Sequence, residues 1–266
     1  MLESARDPEP DGSAYVQSLA RGLAVIRAFG PDRPRMPLAD IARATGLTRA
    51  TARRFLLTLE TLGYVRSGER GFELTPRVLE LGFSYLSSLS LPEVVQPHLE
   101  ALSHAVGEST SGSVLDDADI VYVARVPTRR IMSVGITIGT RFPATVTSMG
   151  RVLLAALESD AVDALLARHP VPTLTPRTLT DAAELHAELA RVRDQGWCLV
   201  DQELEDGIRS IAAPIVRRGR TVAAINISTT AASATPDETV SRLLQPLLDT
   251  ANAVSDELEH LPRFEG

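Results

Sequence analysis

The 266-residue chain is 44% hydrophobic and carries a net charge of −7, which is typical of a globular protein with enough apolar residues for two domains. Its single cysteine, Cys198, excludes an internal disulfide and a cysteine-rich zinc site, and we expect this residue in a half-buried strand. No apolar run reaches the length of a membrane span, and residues 1–15 lack the apolar core of a signal peptide. We therefore expect a cytoplasmic protein without a membrane partner, with a disordered tail over residues 1–13.

The charge is distributed unevenly along the chain. Residues 13–75 contain ten arginines and five acids, a net charge of +5, whereas residues 76–266 contain sixteen arginines and twenty-five acids, a net charge of −9. This asymmetry predicts one DNA-facing domain attached to a larger domain that does not bind DNA.

The N-terminal region predicts a helix-turn-helix. A first helix is expected over residues 15–29, followed at residues 38–62 by two short helices joined at Gly46, which can adopt a positive φ. Thr48 is expected to cap the second of these helices. Apolar residues recur there at three- and four-residue steps and predict a buried face: Ala52, Phe55, Leu56, Leu59 and Leu62. The opposite face is polar and basic: Thr48, Arg49, Thr51, Arg53, Arg54 and Thr58.

That basic face predicts contact with double-stranded DNA. A helix-turn-helix places such a face in the major groove, where arginine donates to guanine and threonine meets thymine methyl groups or phosphates. A merely solvated face is the alternative, but the next segment favours DNA, because residues 63–66 and 72–75 predict a β-hairpin and hence a winged helix. Arg66 and Arg70 lie where this wing could reach a phosphate. We expect the DNA-binding domain over residues 14–75.

Residues 76–91 predict a linker helix with little polar surface. Its apolar face needs a partner, and a second copy of the chain is the simplest one. Packing within one chain is the alternative.

Residues 92–262 predict a second domain of the α+β class. Strands are expected at residues 110–115, 120–126, 131–136 and 197–203 and in a hairpin around residues 218–220, with helices at 160–168, 181–195 and 236–260. A loop with two glycines leads to a helix that begins near Ser148, and the unpartnered amides of this helix could receive a carboxylate. Ordinary capping by Thr147 is the alternative explanation of the same residues.

Two groups of side chains in this domain could act in catalysis or ligand binding: one dense acidic cluster and several arginines. The acids are Asp201, Glu203, Glu205 and Asp206, which could act as general acid and base or bind a hard metal ion. No histidine lies in the segment and no nucleophile motif accompanies it, so we expect no catalytic residue, metal or cofactor. Arg209 could pair with a nearby acid or hold an anionic ligand in bidentate fashion, and further arginines lie in or beside the predicted sheet: Arg125, Arg129, Arg130 and Arg141.

Several motifs occur in an order that resembles the IclR family of bacterial transcriptional regulators, over about residues 15–260. They are the helix-turn-helix, the wing, TPRVLELG, GTRFPATVTSMGRVLLA, GWCLVDQELEDGIRSIAAPI and AAINIS. The resemblance implies a winged helix-turn-helix, a linker helix and a GAF-like effector domain with an antiparallel sheet, acting on a palindromic operator as a homodimer or a dimer of dimers. The SMGR form is similar to the branch that controls protocatechuate, 4-hydroxybenzoate and β-ketoadipate catabolism.

The resemblance also implies an effector site for a small organic acid. Carried over to this sequence, the positions are Ser148 and Met149 at the helix start, Asp201 on a strand and Ser210, with Val200 as the alternative to Asp201. Arg209 joins them as the candidate anion partner. The implied function is a DNA-binding regulator modulated by a small carboxylic metabolite. An enzyme acting on such an acid, with an attached regulatory winged helix, is the alternative.

Overall fold

A computed structural model of the chain describes residues 15–30, 32–68, 71–81, 91–128 and 135–260. The chain divides into two compact units, residues 1–85 and 86–266. The finer division, with a linker helix over residues 76–91, stays a prediction. Its described part is a 3-10 turn, Pro76–Val78, followed by helical residues 79–81, and residues 82–90 lie outside the described ranges.

The first unit contains three helices and a small sheet. Its helices are α1 (Gln17–Arg27), α2 (Leu38–Ala44) and α3 (Arg49–Thr61), and its strands are β1 (Arg35–Met36), β2 (Val65–Gly68) and β3 (Gly71–Leu74). The strands form an antiparallel sheet in the order β1-β3-β2. Residues from every helix and from β1 and β2 meet in one apolar core: Val25, Met36, Ile41, Leu56, Leu59 and Val65.

The predicted helix pair and hairpin are confirmed. Gly46 has φ +64° in the turn between α2 and α3, and the Thr48 hydroxyl accepts from the Thr51 amide at 3.2 Å. Leu62 is wrongly placed in the buried face, since α3 ends at Thr61 and Leu62 is half exposed. Strand β1 was not predicted, because two residues are too few to show an alternating pattern.

Helix α1 buries a different side from its apolar stripe. Val25 is fully buried, whereas Val16, Leu19 and Leu23 are exposed, and Leu79 beyond the wing is exposed too. Apolar residues three and four positions apart form one stripe on a helix, so this unit presents an uncovered apolar strip to solvent.

The second unit is a six-stranded antiparallel sheet with helices on both faces. The strands are β4 (Ser109–Asp116), β5 (Asp119–Val126), β6 (Arg141–Pro143), β7 (Cys198–Asp201), β8 (Ile208–Arg217) and β9 (Arg220–Thr230), in the order β6-β5-β4-β9-β8-β7. Helices α4 (Leu91–Val106) and α8 (Pro236–His260) pack on one face. Helices α5 (Ser148–Ala155), α6 (Ser159–Arg168) and α7 (Ala182–Gln195) pack on the other, which we call the α5 face. This architecture confirms the predicted α+β class.

Two predictions about this sheet can be compared with the structure. The strand expected at residues 131–136 is wrong at Gly135 and Ile136, which are not in a strand, and its other residues lie outside the described ranges. Strand β5 pairs with β6 on the side away from β4. Cys198 lies in β7, a half-buried strand as predicted, and its own side chain is fully buried in the apolar core under α5 and α7.

The start of α5 lies directly against the preceding 3-10 turn, Ala144–Val146. A Cβ atom at Gly150 would lie 2.1 Å from the carbonyl oxygen of Ala144, so only glycine permits this approach. Thr147 caps the helix as expected, since its hydroxyl accepts from the Gly150 amide at 3.1 Å. The helix start is thereby held in one position against the sheet.

Candidate functional site

The exposed face of α3 carries arginines that are free to meet a ligand. Arg49, Arg53 and Arg54 are exposed, and none forms an ion pair with a residue in the described ranges. Thr48 and Thr51 share a hydrogen bond of 2.9 Å between their hydroxyl groups, and the Thr48 hydroxyl also caps the helix. Part of the hydrogen-bonding capacity of these two hydroxyl groups is therefore used within the protein. The residues of the predicted basic face therefore lie together on the exposed side of α3.

The wing residue Arg66 is held by an acid. Glu73 lies between Arg66 on β2 and Arg35 on β1 in the sheet register, and its carboxylate accepts from the Nε atoms of both. The hydrogen bonds from Arg35 and then Arg66 lower the pKa of Glu73 below its ordinary value. The other predicted wing residue, Arg70, lies outside the described residues.

A row of polar side chains crosses the α5 face of the large sheet. Ser111 on β4 lies opposite Arg125 on β5 and opposite Asn226 on β9. Arg125 donates from Nη1 to the Ser111 hydroxyl at 3.0 Å, and Asn226 donates from Nδ2 to Ser228 at 3.2 Å. We call Ser111, Arg125, Asn226 and Ser228 the polar row. Polar groups in a core normally satisfy one another, which makes any unmet bonding capacity in this row informative.

Two atoms of the polar row have unmet bonding capacity. The Nε atom of Arg125 and the Oδ1 atom of Asn226 are buried, and neither has a hydrogen-bond partner among the described residues. Burial also lowers the pKa of the Arg125 guanidinium from its ordinary value. Leaving a buried donor or acceptor unsatisfied costs about 1–3 kcal/mol, so these positions are poised to gain from a bound polar group.

The start of α5 adjoins the same face. Ser148 is fully buried, and its hydroxyl lies 2.8 Å from the hydroxyl of Ser210, which is the β8 neighbour of Ser228. Met149 accepts from the Ser113 hydroxyl through its sulfur at 3.3 Å. Three of the five predicted effector residues, Ser148, Met149 and Ser210, are thus brought together on the α5 face.

Asp201 and Arg209 lie on the opposite face of the sheet. The Arg209 Nε donates to the Asp201 carboxylate at 2.8 Å, while its Nη1 donates to the carbonyl of Ala234 and, at 3.2 Å, to Thr239 at the start of α8. Successive residues of a strand point to opposite faces. Val200, the cross-strand neighbour of Ser210, therefore lies on the α5 face, whereas Asp201 does not.

A buried ion pair fixes the start of α5 to neighbouring segments. Arg151 forms two hydrogen bonds with Glu203, at 2.7 and 2.5 Å, and donates from Nε to the Thr145 carbonyl at 2.9 Å. Glu203 also accepts from the Leu179 amide at 2.8 Å. This member of the acidic cluster is therefore structural. Among the described residues, no group of three or more histidine, cysteine or acidic side chains could hold a metal ion.

The sequence interpretation missed Ser111 and Asn226 and did not single out Arg125 from the other arginines. The sequence does contain a pattern that could have indicated these residues. Ser109, Ser111 and Ser113 occupy alternate positions of β4 and so point to one face of the sheet. A sheet face covered by helices is normally apolar, so three serines on it mark a polar interior.

A winged helix joined to a second domain with a polar, partly unsatisfied interior defines a DNA-binding regulator with its own sensor domain. Two family models match the chain: the IclR helix-turn-helix domain over residues 18–69 and the bacterial transcriptional regulator IclR C-terminal domain over residues 83–256. The chain belongs to the IclR family of transcriptional regulators. None of its described helices is long and apolar enough to cross a membrane.

Relatives support the same conclusion. The chain is 43% identical over 252 residues to the Pca regulon regulatory protein of Pseudomonas putida, covering 94% of this chain and 86% of that one. A crystal structure of a transcriptional regulator from Rhodococcus sp. RHA1 is 62% identical with a TM-score of 0.83, covering 92% and 98%. An IclR homologue from Microbacterium hydrocarbonoxydans, complexed with 4-hydroxybenzoate, is 26% identical with a TM-score of 0.83, covering 92% and 100%. These relatives are regulators, and the alternative of an enzyme is not supported.

Proposed function

We propose that this protein is a regulator whose operator binding responds to a small aromatic carboxylate, bound on the α5 face. The observation that carries the effector site is the pair of buried, unpartnered atoms in the polar row, one on Arg125 and one on Asn226. A guanidinium without a carboxylate partner among the described residues is a ready site for a carboxylate ligand. The 4-hydroxybenzoate bound by the Microbacterium relative belongs to the same chemical class.

The proposed effector site joins the polar row to the α5 start. Arg125 binds the carboxylate, while Ser148, Ser210 and Asn226 offer neutral hydrogen-bonding groups to the rest of the ligand. Val200 and Met149 supply apolar contacts for a ring. Small-molecule sites commonly combine an apolar wall with a few placed polar groups. In this assignment Asp201 and Arg209 hold the sheet to α8 and do not touch the effector.

The proposed DNA contacts are Thr48, Arg49, Thr51, Arg53 and Arg54 on α3, with Arg66 and Arg70 of the wing. An operator read by a dimer has two half-sites related by the symmetry of the protein. The exposed apolar strip on α1 and the exposed Leu79 support a homodimer or a dimer of dimers, because a second copy would cover them. We propose that the protein binds its operator in the cytoplasm.

Effector binding can alter DNA binding only if the effector favours one arrangement of the DNA-binding units over another. The test is calorimetric titration of the full chain with 4-hydroxybenzoate, protocatechuate, β-ketoadipate and a short 2-oxo acid, followed by operator binding with and without the ligand that binds. Saturable binding of an aromatic acid that changes operator affinity is the expected result. Binding of the short acid alone would retain a sensor and refute the aromatic class.

A further inference from the structure

A basic cleft lies in the first unit, away from the exposed face of α3. It has a volume of about 340 Å³ and is lined by residues of β1, of the turn before it and of α2, including Arg33, Arg35, Asp40 and Arg43. Three arginines against one acid give this cleft a net positive charge. The position of Arg33 is fixed by a tight turn, in which the backbone groups of Gly30 and Arg33 exchange two hydrogen bonds of 2.9 and 3.3 Å.

Two of the three arginines of the cleft, Arg33 and Arg43, are available to an external anion. Arg33 is exposed and has no ion pair with any described residue. Arg43 pairs with Asp40 at 3.2 Å across one helical turn, but its side chain is 80% exposed. Exposed ion pairs contribute only about 0–1 kcal/mol, so a phosphate could replace Asp40 at little cost.

The cleft is continuous with the wing. Arg35 belongs both to the cleft and to the Arg35–Glu73–Arg66 row across the small sheet. Strands are spaced about 4.8 Å apart, so the backbones that carry Arg35 and Arg66 lie roughly 10 Å apart on either side of Glu73. A single carboxylate thus orients two guanidinium groups, one of the wing and one of the cleft.

We infer that Arg33, Arg35 and Arg43 form a second phosphate-binding surface of the DNA-binding unit, which binds the sugar–phosphate backbone of DNA beside the segment read by α3. This inference rests on the DNA-binding function proposed above and assigns contacts outside the helix-turn-helix recognition face. The occupant is a polyanion and not a small phosphorylated molecule, because the side chains of Arg35 and Arg43 stay mostly exposed. Sites for small molecules usually bury most of their ligand, whereas backbone contacts to DNA lie along an open surface.

The contacts of this surface are independent of base sequence. Their number can be measured from how strongly the affinity for DNA depends on salt concentration. Each phosphate neutralised contributes about 0.9 to the slope of log affinity against log salt concentration. Replacing all three arginines by alanine should make the slope shallower by about 2.7 for each protomer bound to the DNA. Between 50 and 200 mM salt the wild-type protein should therefore lose roughly 40-fold more affinity per bound protomer than the triple variant.

The test uses the full chain and two duplexes of equal length, one selected in vitro from a random library and one with the same bases scrambled. Fluorescence anisotropy at four salt concentrations gives the slope for each. The variants are R33A/R35A/R43A, the charge-conserving R33K/R35K/R43K, and Arg27→Ala, an exposed arginine of the same unit outside the cleft. We expect the alanine triple to lose slope on both duplexes, the lysine triple to keep it, and Arg27→Ala to behave as wild type.

Three results would overturn the inference. A wild-type slope in the alanine triple, while Arg53→Ala still reduces the preference for the selected duplex, rejects the cleft and leaves DNA recognition intact. A loss of slope of about 0.9 in Arg27→Ala, one third of the loss expected for the alanine triple, shows that any charge of the unit suffices. Saturable binding of inorganic pyrophosphate that is lost in the alanine triple, with the DNA slope unchanged, assigns the cleft to a small phosphorylated ligand.

Discussion

Replacing Arg125 by methionine should separate effector binding from stability. Methionine has a similar length but no charge, so the variant removes the proposed carboxylate partner and keeps much of the volume. Truncating one member of a buried charge pair costs about 2–5 kcal/mol, and a value near 3 kcal/mol corresponds to roughly a hundredfold weaker binding of a carboxylate effector. We expect the affinity for 4-hydroxybenzoate, measured by calorimetry, to fall by this factor.

The same substitution should leave the stability of the protein without effector nearly unchanged. In the free protein the buried Nε of Arg125 has no hydrogen-bond partner among the described residues, and removing an unsatisfied donor recovers about 1 kcal/mol of desolvation cost for a half-buried side chain. The substitution also removes the hydrogen bond from Nη1 to Ser111, which costs about 1 kcal/mol. Because the two effects oppose each other, Tm should move by less than about 2 °C, measured by thermal unfolding.

A ligand variant completes the test. The neutral 4-hydroxybenzamide lacks the carboxylate charge, so the wild-type protein should prefer the acid whereas Arg125→Met should bind acid and amide about equally. Arg141→Met is a matched control, because Arg141 already pairs with Asp116 and Asp119, and its variant should keep the preference for the acid. If Arg125→Met retained the wild-type preference, another group would bind the carboxylate and the assignment of Arg125 would be refuted.

Three further predictions follow from the same contacts. Arg209→Ala should lower the free energy of unfolding by about 3 kcal/mol, measured in urea, without changing effector affinity, since Arg209 faces α8; a lost affinity would contradict this placement. Burial raises the pKa of Cys198 from 9.0 to about 12, so the unfolded thiol ionises first as pH rises and stability falls above pH 9, by about 1.4 kcal/mol at pH 10. Cys198→Ala should lack that part of the loss, and an equal loss in both proteins would assign it elsewhere. Leu19→Glu combined with Leu23→Glu should shift the mass measured by light scattering toward the monomer, and an unchanged mass would exclude α1 from the subunit interface.

The DNA-binding unit was largely predictable because its signals are local. Gly46, Thr48 and the spacing of Ala52, Leu56 and Leu59 each act within a few residues of one another, so the turn, the cap and the buried face follow from the sequence. Strand β1 escaped prediction because it exists only through its pairing with β3, a contact between residues far apart in the chain.

The proposed effector site was only half predictable from the sequence, because it depends on which strands are neighbours. Ser111, Arg125 and Asn226 come from three strands and meet only because β4 pairs with both β5 and β9. No spacing in the sequence records that order. Ser148 and Ser210, in contrast, were predicted from family motifs, and a direct hydrogen bond joins their hydroxyl groups although they are 62 positions apart in the chain.

The charge of the proposed effector site depends on which residues of β7 point to the α5 face. Had Asp201 pointed to the α5 face, its carboxylate would have lain on the same face as Arg125, and an acidic effector would have met repulsion from it. The register pairs Val200 with Ser210 and turns Asp201 to Arg209 on the other face. The polar row therefore keeps a guanidinium without an acid among the described residues, beside an apolar valine. A site of that composition favours an anion with an apolar body over a small, strongly hydrated acid, which is the physical reason to test aromatic carboxylates first.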